Sequence, residues 1–586
     1  MNINKLTDIN SKLKDWNESY GAQVADTEKV SNEKRKLNSI SIELDRLKRA
    51  QGTRTALGVF GQSQCGKSYL TSELIGGANT KLIIEGKDNC RFHDFNQNDA
   101  DKESTALVTR LTSKKDNYTA PANSVMIRYL SAPDIMWSFV YGFYKELLWL
   151  KGFTLDDNKI KEIENTINSI DNSKRMMPDI EILGDEFFEC LNWINQNYTY
   201  EYSLADIASD YFSNHEEISL EKYVELVSTL WKSDENLTKA FRARIETLYS
   251  LNFAYNGSIP EALLKKVLDA SSLDKLSLDV TQKTLIISQN GDLVHGKADD
   301  VQIANIQAVI KEVCLLADIQ GNSLASKIDI LDFPGARALT GMDGGLDSQE
   351  LNNSIKDNKS VLIANVYKRG KLSYLFDLYK KDFDISLLVF CTESGSLQEA
   401  KSLRKMLSGW VDMYKNDSNE LKDPSLFVAF TKSDKLIRSI TIEKPKNADT
   451  RITARFKENF QDSFGDWTEN YIDKNNPFNN IYLVRNPIAD NICFDTPEAH
   501  NNGEIETWRT GFEEGKDILR DAWLNNVMVN KYLGDKKTEL FDNVFEPNKH
   551  GIDHLIDQIN KKFDSEPNKK EKYLKSKIED VKERML

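Results

Sequence analysis

The sequence predicts an α/β protein: a mostly parallel sheet, a large helical insertion, and a helical bundle built from the N- and C-terminal segments. Three observations predict it. Six short apolar runs lack the alternation of a half-solvated strand: "TALGVF" (55–60), "SVMIRYL" (124–130), "KIDILDF" (327–333), "ISLLVFC" (385–391), "SLFVAF" (425–430) and "NIYLV" (480–484). Such runs are the mark of strands covered on both faces. Helical stretches separate most of them, as the crossovers of a parallel sheet require, and the chain is helical in pattern at both ends.

In chain order, residues 1–50 carry Leu6, Ile9, Leu13 and Trp16, then Leu37, Ile40, Leu44 and Leu47, at helical spacing, which predicts two helices packed as an antiparallel pair. Residues 51–130 and 327–495 hold the six apolar runs and form the sheet domain. The stretch between them, 131–326, is too long for a crossover. It shows helical periodicity in "EALLKKVLDA" and "DVQIANIQAVIKEVCLLADI", plus one hairpin signal at Asn290-Gly291, and is read as a mainly helical insertion. Its most apolar part, "IMWSFVYGFYKELLWLKGF" (135–153), is broken by Lys145, Glu146 and Lys151 before it could span a bilayer. A core helix is the expectation there, with docking on a membrane surface as the alternative. Residues 496–586 are helical and highly charged, ending in "KKEKYLKSKIEDVKERML".

Composition narrows the function classes. With 586 residues, 40% of them hydrophobic, the chain can fill more than one core. Its 77 basic against 91 acidic residues, net −14, exclude a general nucleic-acid binder, so any anion site must be local. Six cysteines (65, 90, 190, 314, 391, 493) lie far apart with no C-x-x-C pair, which reads as reduced thiols in a cytoplasmic protein. The opening "MNINKLTDINSKLKDWNESY" has no secretory pattern.

Three motifs carry chemistry. "GQSQCGKSY" supplies Gly61, Gln62, Ser63, Gln64, Cys65, Gly66, Lys67, Ser68 and Tyr69, a G-x-x-x-x-G-K-S loop between an apolar strand and a helical stretch. In such a P-loop the backbone N–H groups cradle phosphates, Lys67 reaches the β- and γ-phosphates, and Ser68 gives its hydroxyl to Mg²⁺. Cys65 reads as a small buried filler, with an oxidation-sensitive thiol near a helix N-terminus as the alternative. "DILDFPG" places Asp332 and Gly335 at a strand end, the first to hold the Mg²⁺ shell and the second to sense a γ-phosphate. The loop that follows is rich in glycine (Gly341, Gly344, Gly345). "FVAFTKSD" places Thr431, Lys432 and Asp434 at another strand end. A carboxylate at Asp434 accepts from the N1–H and N2–H₂ edge of guanine, which adenine lacks, and the Lys432 stem can cover the ring. The ligands expected are therefore GTP or GDP with Mg²⁺.

A metal-sensing threonine should lie between the first two motifs, and "DKESTALVTRLTS" offers Thr105 and Thr109. "GQSQCGKSYL", "STALVTRLT", "DFPG" and "TKSD" together resemble the dynamin superfamily, and are more similar still to the SrfC-like bacterial virulence factor family. The resemblance puts Thr109 in the metal-sensing role with Thr105 as the fallback. It also implies slow GTP hydrolysis completed by a nucleotide-dependent homodimer, with switch loops that bias helical domains. Where dynamins place a cation-binding serine this chain has Gln64, which would orient water or a bridging oxygen. By position alone, Arg485 and Asn486 of "LVRNP" would flank the base. The other reading of the resemblance is a nucleotide-stabilised scaffold that meets protein partners of a bacterial effector or assembly system and hydrolyses little.

Overall fold

The structure, a computed structural model, describes residues 3–21, 23, 27–61, 65–77, 80–88, 90–95, 107–115, 118, 120–144, 157–198, 207–209, 211–212, 214–269, 272–273, 300–319, 324–335, 359–393, 406–411, 425–433, 435–436, 447–461, 464, 466–471, 477–486, 494–495 and 506–585. Among these, ten strands form one sheet: β1 (Ala56–Gly61), β2 (Lys81–Leu82), β3 (Val108–Thr112), β4 (Ser124–Tyr129), β5 (Asn256–Pro260), β6 (Ile310–Asp318), β7 (Asp329–Asp332), β8 (Leu387–Thr392), β9 (Leu426–Phe430) and β10 (Ile481–Leu483). Their order is β10-β9-β8-β1-β7-β3-β6-β4-β5, with β2 pairing β6. The block from β10 to β7 is parallel throughout. β3 runs antiparallel to β7 and parallel to β6, and β4 and β5 add antiparallel pairs.

All six apolar runs are strands, and β1, β3, β7, β8, β9 and β10 are buried at every residue. One helical reading fails. "DVQIANIQAVIKEVCLLADI" is helical only over Asp300–Val309, and Ile310–Asp318 is β6, between β3 and β4. The pair Lys311-Glu312 mimicked the polar face of a helix because both are charged. Both are buried: Lys311 Nζ meets Asp382 at 2.6 Å, and Glu312 accepts from Arg110 Nε and Arg128 Nη1, each at 2.9 Å. β5 also comes from the segment expected to be a helical insertion. The hairpin expected at Asn290-Gly291 lies outside the described residues.

The apolar run after Ser131 is a core helix over Ala132–Gly142, where Ile135, Met136, Trp137, Phe139 and Val140 are buried. Ser131 and Asp134 cap it reciprocally, and it packs along the helix Lys359–Lys381. Residues 145–153 of that run lie outside the described residues, and no described helix is long and apolar enough to cross a membrane. The two ends of the chain meet. The helix Thr27–Gly52 packs on Ile3–Trp16, on Lys569–Met585 and on Ile180–Asn197. Tyr573, Leu574, Ile578 and Val581 of the charged last helix face that bundle and are buried, as is Lys569 at its start, whose Nζ donates to Ser425 Oγ at 2.7 Å.

Candidate functional site

In a parallel block the carboxyl ends of the strands share one edge, and here β1, β7, β8 and β9 bring the three motifs to it. β1 ends at Gly61, whose Cα is in register with Cys391 of β8. A Cβ at Gly61 would stand 2.1 Å from the Cys391 carbonyl oxygen, so only glycine lets the loop leave the strand there. Gln62, Ser63 and Gln64 lie outside the described residues. Cys65 is buried, and Gly66, at a left-handed φ of 88°, opens the helix Lys67–Leu74. The first-turn amides of a helix have no intrahelical acceptors and attract anions. Lys67 is buried beside them.

The Thr431 motif closes on this loop. Thr431 Oγ1 donates to the Cys65 carbonyl at 2.5 Å, and the Thr431 carbonyl accepts from Arg455 Nη2 at 2.8 Å. Lys432 takes a left-handed φ of 52° and pairs with Glu393, which also holds Lys435. Ser433 is buried, its amide donating to Val484 and its hydroxyl to the Phe430 carbonyl at 2.7 Å. β9, its loop and β10 are thereby one unit. Asp434 lies outside the described residues.

At the end of β7, Asp332 is buried and its Oδ1 has no hydrogen-bond partner. Burial pushes the carboxyl up to about 6, against the opposing pull of Lys67 and Thr71. A buried carboxylate short of partners is what a hydrated divalent cation would satisfy. Among the described residues no group of three or more His, Cys, Asp and Glu could hold a metal by itself. Gly335 follows, buried, and Ala336 onward lies outside the described residues, including Gly341, Gly344 and Gly345.

Three expected residues sit differently. Thr109 is inside β3, paired with Val313 on one side and Asp332 on the other. Its backbone is thus held in two ladders, and the fallback, Thr105, lies outside the described residues. The Arg485 side chain is committed elsewhere. Its guanidinium is fully buried, donating to Glu506 through Nη1 (3.0 Å) and Nη2 (2.5 Å) and to the Val544 carbonyl through Nε (2.8 Å), 4.1 Å over the Phe494 ring. It ties β10 to the C-terminal segment. Tyr69 lies within the electrostatic reach of the same group: burial and then Glu73 raise its phenol well above the usual range, against the pull of Arg485. Asn486 is half-buried beside Arg485.

Other residues had no readable signal. Arg110, next to Thr109, is buried with its Nε on Glu312 (2.9 Å) and its Nη1 on Asp329 (3.1 Å), while Tyr379 Oη donates to Glu312 at 2.5 Å. This ionic cluster fastens β3, β6 and β7 together beneath the site. Glu393, Arg455 and Cys391 join the site only through the fold; the one hint was that Cys391 ends an apolar run and Glu393 follows it by two residues, where an α/β sheet presents its loops.

No curated protein matches the chain. Among solved structures it is similar to an oligomerised bacterial dynamin pair, described as providing a mechanism for long-range sensing and tethering of membranes, at 11% identity over 100% of this chain and a TM-score of 0.23. The match covers 56% of that structure's chain, and a likeness this low assigns no fold. The family comparison is decisive: a model described as "Putative bacterial virulence factor" matches residues 20–586, and the chain belongs to that family.

Proposed function

We propose that this protein is a dynamin-like GTPase that binds GTP and GDP with Mg²⁺ and hydrolyses GTP slowly, coupling its switch loops to dimerisation or to movement of the helical segments. The observation that carries this reading is the convergence of Lys67, Asp332 and Thr431 at one edge, on the ends of three strands from the same parallel block, with Thr431 bonded to the P-loop carbonyl of Cys65. In this reading the amides around Gly66 and the Lys67 ammonium bind the β- and γ-phosphates. Lys67, already beside Asp332, exchanges part of that contact for phosphate. Lys432, swung out by its left-handed backbone, covers the base while Asp434 accepts from guanine. Mg²⁺, held by Ser68 and by Asp332 through water, would neutralise charge developing between the phosphates. Gln64 would orient the attacking water, and Thr105 and Gly335 would order with the γ-phosphate.

A competition assay of GTP against ATP on the native protein, beside turnover measured in Mg²⁺, tests the reading. Guanine preference with slow turnover is expected. Equal affinity for the two bases would refute the Asp434 assignment. Tight guanine binding with no turnover at any protein concentration would favour the nucleotide-stabilised scaffold.

A further inference from the structure

Where the terminal helices meet the sheet domain they leave a cavity of about 520 Å³. Its walls come from four helices: Thr27–Gly52, Ile180–Asn197, the C-terminal end of Lys359–Lys381, and Lys569–Met585. Buried Phe383 and Tyr573 line it, their ring centroids 5.5 Å apart. Phe383 lies four residues before β8, at the amino edge of the parallel block. The three motifs gather at the opposite, carboxyl edge, so the cavity is separate from the candidate nucleotide site. Its volume falls within the range of small-molecule pockets, about 300–1,000 Å³.

The lining is positive although the chain carries a net charge of −14. Arg35, Arg46, Lys380, Lys381 and Lys577 outnumber Glu43, Asp185 and Glu189. The acids that pair with Arg46 and Lys380, which are Glu186 and Asp377, stand outside the lining. Glu189 and Glu43 are already engaged, by Lys381 at 2.7 Å and by Arg584. Burial pushes the Asp185 carboxyl up to about 7 against the pull of Lys14, which thins its negative charge at neutral pH. The other two cations sit on aromatic faces, on different walls. The Arg35 guanidinium is 4.5 Å from the Phe188 ring centroid, and Lys577 Nζ, which also reaches Asp580 at 3.8 Å, is 5.6 Å from that of Tyr573. Such pairs present a positive charge beside a flat apolar surface.

We propose that this cavity binds a small organic phosphate that carries a flat ring. The planar fork of Arg35 matches two phosphate oxygens, Lys577 supplies a second charge from another wall, and the ring lies against Phe188, Phe383 and Tyr573. An uncharged ligand would leave the cations unmatched, and inorganic phosphate would leave the aromatic surface uncovered. A ligand seated there touches the N-terminal helix, the last helix and the helix that leads into β8 at once, so it would clamp the terminal bundle to the sheet domain. Nothing in this site involves the P-loop, so it stands whether or not the protein is a GTPase.

Pyridoxal 5′-phosphate is the probe. It has the phosphate and the flat ring, and its aldehyde condenses with a nearby lysine, so borohydride reduction and peptide mapping of the full chain record where it sits. Exposure alone predicts one order of labelling: the Lys159 and Lys239 side chains are 51% and 52% exposed, Lys381 and Lys577 only 25% and 18%. The reverse is expected. At micromolar reagent Lys577 and Lys381 should be labelled about tenfold faster than Lys159 and Lys239, because a bound reagent meets its lysine at a raised effective concentration. Phenyl phosphate should protect them better than inorganic phosphate does. Mapping reads each lysine separately, so label at Lys67 of the P-loop does not confuse the result. Arg35→Gln, at an exposed helix position, should slow labelling of Lys577 about tenfold through loss of one charge-assisted contact, while Lys159 keeps its rate and reports an intact fold. The proposal is overturned if Lys577 and Lys381 react no faster than Lys159 and Lys239, if phenyl phosphate protects no better than inorganic phosphate, or if Arg35→Gln leaves their labelling unchanged.

Discussion

Replacing Glu506 with glutamine should loosen the C-terminal segment from the sheet without unfolding the sheet. Glu506 is 2% exposed and accepts from Arg485 Nη1 and Nη2 and from the Asn548 amide (2.8 Å), while Arg485 is 0% exposed. Removing one partner of a buried pair strands the other charge, at a cost of about 3–5 kcal/mol. Glutamine keeps one acceptor but turns an NH₂ group toward the guanidinium, so about 3 kcal/mol is expected, or roughly 100-fold in a local opening equilibrium. Hydrogen exchange read by mass spectrometry measures it. Peptides covering Lys537–Phe545 and Ile552–Ser565 should exchange about that much faster, whereas β8 and β9 should not change. The pH dependence has a definite sign. Burial opposes the charge on Glu506, but His550 and Arg485 outweigh it and hold the carboxyl below its ordinary range. Its contribution is therefore complete above the unfolded value of about 4.3 and is lost as the pH falls below it, so native and variant should converge in acid. The double variant Arg485→Met, Glu506→Met should recover part of the loss, since no charge is then stranded. Less than a threefold change, or uniform acceleration of every peptide including β8, would refute the tie.

Asp434→Asn should weaken GTP and improve xanthine nucleotide binding, because a carboxamide donates where xanthine accepts; competition binding reads both. Lys67→Ala should abolish nucleotide binding. Thr105→Ala should erase the difference between GDP and GTP in protease protection of the switch segment, whereas Thr109→Ala should keep that difference and cost about 1 kcal/mol of stability, as trimming a buried strand residue does. Asp332→Asn should stabilise the nucleotide-free protein at neutral pH in thermal melts: a carboxyl raised to about 6 by burial makes the native fold lose stability as the pH rises from about 4 through 6, and the amide removes that loss. The same change should weaken Mg²⁺-dependent nucleotide binding. Specific GTPase activity should rise with protein concentration if paired GTPase domains complete the site, and a flat profile with a monomer in every nucleotide state would reject pairing.

Much of the architecture was legible because its causes are local. A strand covered on both faces must be apolar at consecutive positions, so β1, β4, β7, β8, β9 and β10 could be read within one or two residues. The glycines of the P-loop were equally legible, since only glycine can pass the Cys391 carbonyl from position 61. β6 was not: its charged Lys311 and Glu312 are neutral to the fold only because Arg110, 202 residues away from Glu312, and Asp382 meet them inside it.

By itself, then, the sequence determined the layered α/β plan, the placing of the three motifs at strand ends and the helical ends, each set by periodicity or backbone freedom within a dozen residues. The tertiary structure decided the rest. It held Thr109 between two ladders, turned Arg485 toward the C-terminal segment, and set Cys391 against Cys65 across 326 residues of chain. Those roles depend on which buried charge or thiol finds a partner, and the desolvation of such groups is compensated only by atoms that the fold brings in from elsewhere in the chain.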